Sequence, residues 1–205
     1  MNSSPPPLPS AQGYAEHADA LAAQYESIGF VEVHRDTLHL MPAAPSRVLD
    51  IGAGTGRDAA ALAALGHRVL AVEPTAELRR HGERLHADAG MEWLDDALPE
   101  LSRVLARGER FDLILLTAVW MHLDVEQRQV AMATLARLIC PSGSIIMSLR
   151  HGSVPPGRRM FAVSYEETDE LARQHGLRAT FRSEREALLA GSDARWTFLA
   201  LEVER

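Results

Sequence analysis

The chain reads as an α/β protein: a three-layer αβα sandwich around a doubly wound, mostly parallel seven-stranded sheet that ends in an antiparallel C-terminal hairpin strand. Three observations predict this. Five short apolar runs, near residues 48–51, 67–72, 91–94, 111–119 and 144–150, alternate with helical text, the rhythm of parallel strands joined by crossover helices. The first run passes directly into Gly52, Gly54 and Gly56, and a strand that turns through glycines into a helix leaves a concave gap at its carboxyl end. The last two stretches, LRATFRSE (177–184) and RWTFLALEV (195–203), alternate like hairpin partners with a polar connection and no helix between them.

In chain order, residues 1–12 form a proline-rich stretch expected to be a disordered tail, and residues 13–205 are expected to form a single domain. Within it, residues 13–42 are assigned to an N-terminal cap and 43–205 to the core. Tyr14, Ala18, Leu21 and Tyr25 recur at helical spacing, so this segment is either an amphipathic helix packed on the domain or a lid over a ligand. The piece that follows, FVEVHRDTLHLMP, reads as more extended. After the glycines a helix from about Asp58 stops at Gly66, a good residue just past a helix end. Strand two, HRVLAV, ends at Glu73 and Pro74, and Thr75 can cap the next helix, which runs to about His86.

The third strand, MEWL, is followed by Asp95, Asp96 and a helix striped by Leu98, Leu101 and Leu105. FDLILLTAV, 111–119, is the most hydrophobic run and the best candidate for a central strand buried on both faces. Asp124 and Gln127 make a capping box for a helix reaching about Ile139, and Pro141-Ser142-Gly143 is read as the turn before SIIMSLR, 144–150. The segment HGSVPPGRRMF, too long for a minimal connection, precedes a helix opened by Ser164 and Glu167 and closed by Gly176.

Composition narrows the chemistry. The 205 residues, 46% hydrophobic and 24% charged, suit one globular domain with a single large core. No apolar run approaches the roughly 20 residues needed to span a bilayer, and MNSSPPPLPS lacks the features of a signal peptide, so the cytoplasm is the expected location. A net charge of −7 argues against nucleic acid as a partner. All 21 basic residues are arginine, which excludes a Schiff-base lysine, a lysine base and a Walker A lysine. The lone Cys140, among apolar neighbours, excludes an internal disulfide and a multi-cysteine zinc site, and no metal is expected.

The stretch RVLDIGAGTGR, 47–57, departs from the dinucleotide fingerprint because its third glycine comes one residue early and Asp50 stands inside it. A carboxylate there repels a pyrophosphate and attracts an ammonium or sulfonium. The stretch resembles the first motif of the class I S-adenosylmethionine-dependent methyltransferases: hydrophobics, an acid and G-x-G-x-G, met by Val48, Leu49, Asp50, Gly52, Gly54 and Gly56. The resemblance extends over about residues 40 to 205, and the hairpin strand beside a parallel sheet is that family's seven-stranded arrangement. It implies S-adenosylmethionine as cofactor, S-adenosylhomocysteine as product, and Asp50, Gly52, Ala53, Gly54 and Thr117 around the bound cofactor.

Glu73, about 20 residues past the glycine turn, is positioned for two ribose hydroxyls, a device that nicotinamide enzymes share; a surface acid ending a strand is the alternative. The resemblance assigns adenine recognition to Asp96 and the amide of Ala97, with Asp95 as the competing register and helix capping as the other role for either acid.

On the acceptor side, His122 just beyond strand four is the candidate general base, or else a helix-entry histidine bonded to backbone. Tyr14 and Tyr25 from the cap, Trp120, and Arg150, Arg158 and Arg159 from the long loop are the candidate acceptor contacts; the alternatives are core or pocket wall for Trp120 and a solvated loop paired with nearby acids for the arginines. The arginines suit an anionic group. Strand four leads into Thr117-Ala118-Val119-Trp120 and not into the Asp-Pro-Pro-Tyr type of run of the family's DNA and glutamine methyltransferases, which leaves a small-molecule acceptor. A nicotinamide-dependent oxidoreductase and a non-catalytic cofactor-binding module stand as alternative functions. The oligomeric state is not indicated.

Overall fold

The computed structural model describes residues 13–189 and 192–204; the expected N-terminal tail lies outside them. One sheet contains β1 (Arg47–Ile51), β2 (Arg68–Val72), β3 (Glu92–Leu94), β4 (Phe111–Leu116), β5 (Ile139–His151), β6 (Leu177–Glu186) and β7 (Arg195–Val203). Their spatial order is β3-β2-β1-β4-β5-β7-β6. The first five strands pair in parallel, and β7 runs antiparallel to both β5 and β6. The chain thus enters the sheet at its middle, winds outward through β2 and β3, and returns to β4 on the other side of β1. That reversal leaves the carboxyl ends of β1 and β4 side by side without a helix crossing them, the position at which open α/β sheets bind ligands.

Strand alternation sends side chains to two cores. Leu49, Ile51, Leu70, Val72, Ile114 and Leu116 share one with Val104 of α5 (Ser102–Ala106), Leu135 of α6 (Val125–Leu138) and Leu171 of α7 (Tyr165–Gln174). Val48, Val69, Ala71, Leu113 and Leu115 face the other, with Phe30 of α2 (Phe30–Val33) and Ala59 and Leu62 of α3 (Arg57–Ala64). The sheet therefore carries helices on both faces, in three layers. α1 (Ala18–Glu26) lies beside α4 (Ala76–Leu85), where Asp19 meets His81 at 2.7 Å and Glu26 meets His86 at 3.2 Å.

Several boundaries differ from those read along the sequence. β4 stops at Leu116 because Ala118 takes a left-handed φ of 61° and gives its N–H to the Ser148 hydroxyl at 2.9 Å. The expected turn at 141–143 is an irregularity inside β5, where Phe111 pairs with Ile139 but Leu113 with Ser144. Gly143 is needed there, since a Cβ would stand 2.9 Å from the Asp112 carbonyl oxygen. α5 starts only at Ser102, behind Leu101 at φ 47°. The piece expected to be extended after α1 is helical, as α2 and a 3₁₀ turn at Leu38–Leu40.

Candidate active site

β1 delivers Asp50 and Ile51 to the switch point, and the chain then needs three left-handed residues in succession at alternate positions. Gly52, Gly54 and Gly56 have φ of 69°, 59° and 81°. The absence of side chains matters as much as the dihedrals. A Cβ at Gly52 would fall 2.6 Å from Val119 Cγ2, and one at Gly56 would fall 2.7 Å from the Trp93 ring. Gly56 then serves as the N-cap of α3. Above this turn lies a cavity of about 800 Å³, at the upper end of ordinary small-ligand sites.

The carboxylates at its floor are unequal. Asp50 is 2% exposed, and its Oδ2 has no hydrogen-bond partner among the described residues. Burial pushes its pKa well up, and the negative charges of Asp58 and Glu73 push it further, against Arg57. Asp58, in the first turn of α3, is equally buried yet fully partnered: its carboxylate meets His34 Nε2 at 2.8 Å and accepts from Arg57 Nε at 2.7 Å and the Thr117 hydroxyl at 3.1 Å. Burial opposes its charge, but His34 and Arg57 outweigh that and hold its pKa below the usual carboxylate range. Two neighbouring acids are thereby split, one stably ionised and one short of a cation.

Glu73, at the end of β2, is turned into the same cavity. Its Oε2 accepts the Gly54 amide at 2.9 Å and Oε1 the Thr75 amide at 2.7 Å. Burial raises its pKa while those amide bonds pull it back. A carboxylate has about four lone-pair sites, so it can still accept from a ligand hydroxyl.

Asp96, Ala97 and Leu98 form part of the wall. The Asp96 carboxylate accepts from the amides of Ala97, Arg103 and Val104 at 2.8–2.9 Å, so it caps α5. Asp95 lies outside the cavity, its side chain 52% exposed beside Arg79 and Arg103.

Two segments cover the cavity. From the N-terminal side the Tyr25 ring lies over the glycine turn, so that a Cβ at Gly54 would stand 3.3 Å from Tyr25 Cδ2. Arg57 secures this segment by donating to the carbonyls of Tyr25 and Ile28, and the Thr55 hydroxyl donates to Glu26 at 2.6 Å. From the other side comes the loop after β5. Gly13 packs against Gly157, and the Arg158 guanidinium stacks 3.7 Å from the centre of the Tyr14 ring.

His122 sits at the seam. Its Nδ1 is 2.9 Å from the Arg159 carbonyl oxygen and its Nε2 is 2.9 Å from the Tyr14 hydroxyl. A carbonyl can only accept, so Nδ1 carries the proton. Burial lowers the His122 pKa below its ordinary value, with Arg158 and Arg150 adding to the shift against the Arg159 carbonyl. The neutral ring then leaves Nε2 to accept from Tyr14.

Most of the candidates read from the sequence meet at this cavity, with two exceptions. Trp120 is wholly buried in the core on the helix side of the 3₁₀ turn Trp120–His122, and it does not reach the cavity that His122 of the same turn lines. Arg159 turns away from the cavity, donating to Asp124 at 3.1 Å and stacking on Phe161; what it offers the site is its carbonyl. Asp58 and His34 were missed by the sequence reading, because an acid in a first helical turn looks like an ordinary N-terminal charge. The hairpin side of the wall, Leu188, Leu189, Trp196 and Phe198, carried no motif at all.

Among the described residues there is no cluster suited to a metal, and no helix is long and apolar enough to cross a membrane.

Residues 48–143 match a family model described as a methyltransferase domain. An uncharacterised methyltransferase of Mycobacterium tuberculosis is 31% identical over 113 residues, covering 52% of this chain and 40% of the relative. A ubiquinone biosynthesis O-methyltransferase of a Methylobacterium species is 31% identical over 134 residues, covering 65% and 47% respectively. The chain thus spans less than half the length of these curated relatives. A TehB-like S-adenosylmethionine-dependent methyltransferase from Corynebacterium glutamicum superposes with a TM-score of 0.69 at 19% identity, covering 92% of this chain and 99% of that one. Residues 48–143 therefore resemble a methyltransferase domain, and the strand order and glycine turn set them within the seven-stranded, Rossmann-like fold seen in that neighbour.

Proposed function

We propose that this protein transfers the methyl group of S-adenosylmethionine to a small acceptor bearing an anionic group. The observation that carries the reading is the unpartnered Oδ2 of Asp50, buried at the edge of a glycine turn and below an 800 Å³ cavity. A buried carboxylate oxygen without a donor is costly, and a cationic ligand relieves that cost where a pyrophosphate would add to it. That favours an ammonium- and sulfonium-bearing cofactor over a nicotinamide dinucleotide.

When bound, the cofactor supplies a methyl group already activated by the sulfonium. The protein then has to hold, align and keep water out. Gly52, Ala53 and Gly54 would let backbone approach the ligand, and Asp50 would hold its cationic group. Glu73 accepts from the ribose with the lone pairs left by the Gly54 and Thr75 amides. Asp96 has three amide donors and keeps one acceptor site for an adenine amino group beside Ala97. Thr117, bonded to Asp58, holds part of the cavity wall and would stand against the bound cofactor. Tyr25 covers the turn, and Arg150 and Arg158 offer the acceptor positive charge.

A cavity of about 800 Å³ narrowed by two covering segments supports a small acceptor rather than a polymer. The relative named for ubiquinone biosynthesis is an O-methyltransferase, which is compatible with a hydroxyl acceptor and with His122 as the base.

Titration calorimetry tests the cofactor. S-adenosylmethionine and S-adenosylhomocysteine should bind with about micromolar affinity, near −8 kcal/mol, and NADH should give no heat. Binding of NADH alone, or of none of the three, would overturn the reading.

A further inference from the structure

Tyr14 is joined to His122, and the geometry of that pair carries a second conclusion, which rests on the methyltransferase reading. The pair joins residues 108 positions apart, so it exists only when the N-terminal segment lies over the cavity. Its tautomer is set from behind: the His122 Nδ1–H donates to the Arg159 carbonyl at 2.9 Å, and the backbone there is tied down by the Phe161 amide donating to the Met121 carbonyl at 2.8 Å. Nε2 is left as an acceptor aimed at the Tyr14 hydroxyl at 2.9 Å. The two rings meet edge to face, with centroids 5.5 Å apart, and both residues line the cavity. On the other face of Tyr14 the Arg158 guanidinium lies 3.7 Å from the ring centre, where it stabilises negative charge on the phenol oxygen as well as the ring quadrupole.

We propose that Tyr14 and His122 form a two-residue base assembled by closure of the N-terminal segment, and that the acceptor atom is an oxygen that must lose a proton, as in a phenol or another acidic hydroxyl. The acceptor O–H gives its proton to the Tyr14 oxygen as the Tyr14 proton passes to His122 Nε2. The acceptor oxygen bonds the methyl carbon as the carbon–sulfur bond breaks, and that electron pair stays on sulfur, which leaves as a neutral thioether. His122 ends as an imidazolium bonded to the Arg159 carbonyl, and its proton goes to water when the segment opens. Tyr14 touches the acceptor, so it is the catalytic group of the pair. An amine or thiolate acceptor has no comparable need of this base, because the lone pair of the one and the charge of the other already suffice for displacement.

The charged and titratable groups around the pair are Arg150 and Arg158 on the His122 side, and Arg158, Glu73, Tyr25 and Arg150 on the Tyr14 side. Burial raises the Tyr14 pKa and lowers that of His122, so at neutral pH the resting pair is an intact phenol and a neutral imidazole, ready to accept.

Three matched probes separate the acceptor classes: 4-hydroxybenzoate, 4-aminobenzoate and 4-mercaptobenzoate, each with labelled S-adenosylmethionine and the full chain. The hydroxyl probe should be methylated at oxygen, with kcat rising with pH through an ionisation below the ordinary histidine value. Tyr14→Phe keeps the ring beneath Arg158, so it should lower kcat about 100-fold and abolish that pH dependence, while cofactor affinity by calorimetry falls only by the few-fold that one lost closure contact costs. A purely structural role for the hydroxyl would instead move affinity and KM as much as kcat and leave the pH dependence in place. Independently of activity, nitrogen-15 spectra should show neutral His122 protonated at Nδ1, with the Nε2 resonance shifting in Tyr14→Phe. Faster transfer to the amino or thiol probe, no transfer to any probe by protein that binds S-adenosylmethionine, or a kcat indifferent to Tyr14→Phe would each overturn the proposal. Absence of S-adenosylmethionine binding would instead overturn the reading beneath it.

Discussion

Asp50 shows how a site is maintained at the expense of the fold. Its buried Oδ2 lacks a donor among the described residues, whereas Asp58, close by and also buried, is saturated by His34, Arg57 and Thr117. The pKa of Asp50 is raised in the folded state by burial and by neighbouring negative charge. A raised carboxyl contributes stability that is fully present below its unfolded value, near ~4, and is lost as pH rises through the folded value. Asp50→Asn removes that loss. The variant without ligand should therefore be more stable than the parent by about 1 kcal/mol at alkaline pH, within the range for a buried unsatisfied group, and the difference should shrink as pH falls toward ~4. The same variant should bind S-adenosylmethionine about 2 kcal/mol more weakly, on the scale of a lost charged contact. Calorimetric melting across pH, paired with binding titrations, checks both signs. An advantage that grows toward acid would defeat the burial account.

Among the elements, the loop after β5 divides its adjacent arginines between two tasks. Arg158 stacks on Tyr14 and lines the cavity, while Arg159 donates to Asp124 and supplies only backbone to the site. Arg158→Ala should raise the KM of an anionic acceptor about 10-fold, whereas Arg159→Ala should leave KM within about twofold and cost under about 1 kcal/mol of stability, as expected of a partly exposed ion pair. Equal effects on KM would mean that the loop acts only as a whole. Neither difference was legible in the sequence, where Arg158 and Arg159 are the same letter in the same loop. What decides is the local path of the backbone, which the Phe161–Met121 bond anchors just beyond the two arginines.

Trp120 and His122 illustrate the same limit, since two positions on one 3₁₀ turn send one ring into the core and the other to the cavity. The strands and the glycine turn were legible because apolar runs and glycine letters carry their own physics. The end of β4 was not, because Ala118 adopts φ 61° without being glycine, in response to a hydroxyl from Ser148 thirty residues away. His34 was likewise invisible beside Asp58: only the packing of α2 against α3 joins them.

At the scale of the whole molecule, the sheet and its cover are held by different forces. β1 and β4 are central and almost wholly inaccessible, and their side chains pack into both cores. The segment over the cavity is attached largely by polar contacts: Asp19 with His81, Glu26 with Thr55 and His86, Arg57 with two carbonyls, and Tyr14 with His122. Of α1, only Ala18 and Ala22 are buried, so the apolar area it withdraws from water is small. Polar contacts at a surface hold weakly and exchange readily with water, so this segment should open at a far lower free energy than the sheet. Ligand that binds only the closed form must favour closure by its differential affinity. Hydrogen exchange should accordingly show the amides of 14–28 and 153–160 slowing by about 10-fold or more on saturation with S-adenosylmethionine, an amount set by ligand concentration over Kd. The amides of β1 and β4 exchange only through deeper opening and should gain protection more slowly, with the overall rise in stability. Slowing confined to the sheet, with 14–28 unchanged, would show that the cavity is filled without the segment closing.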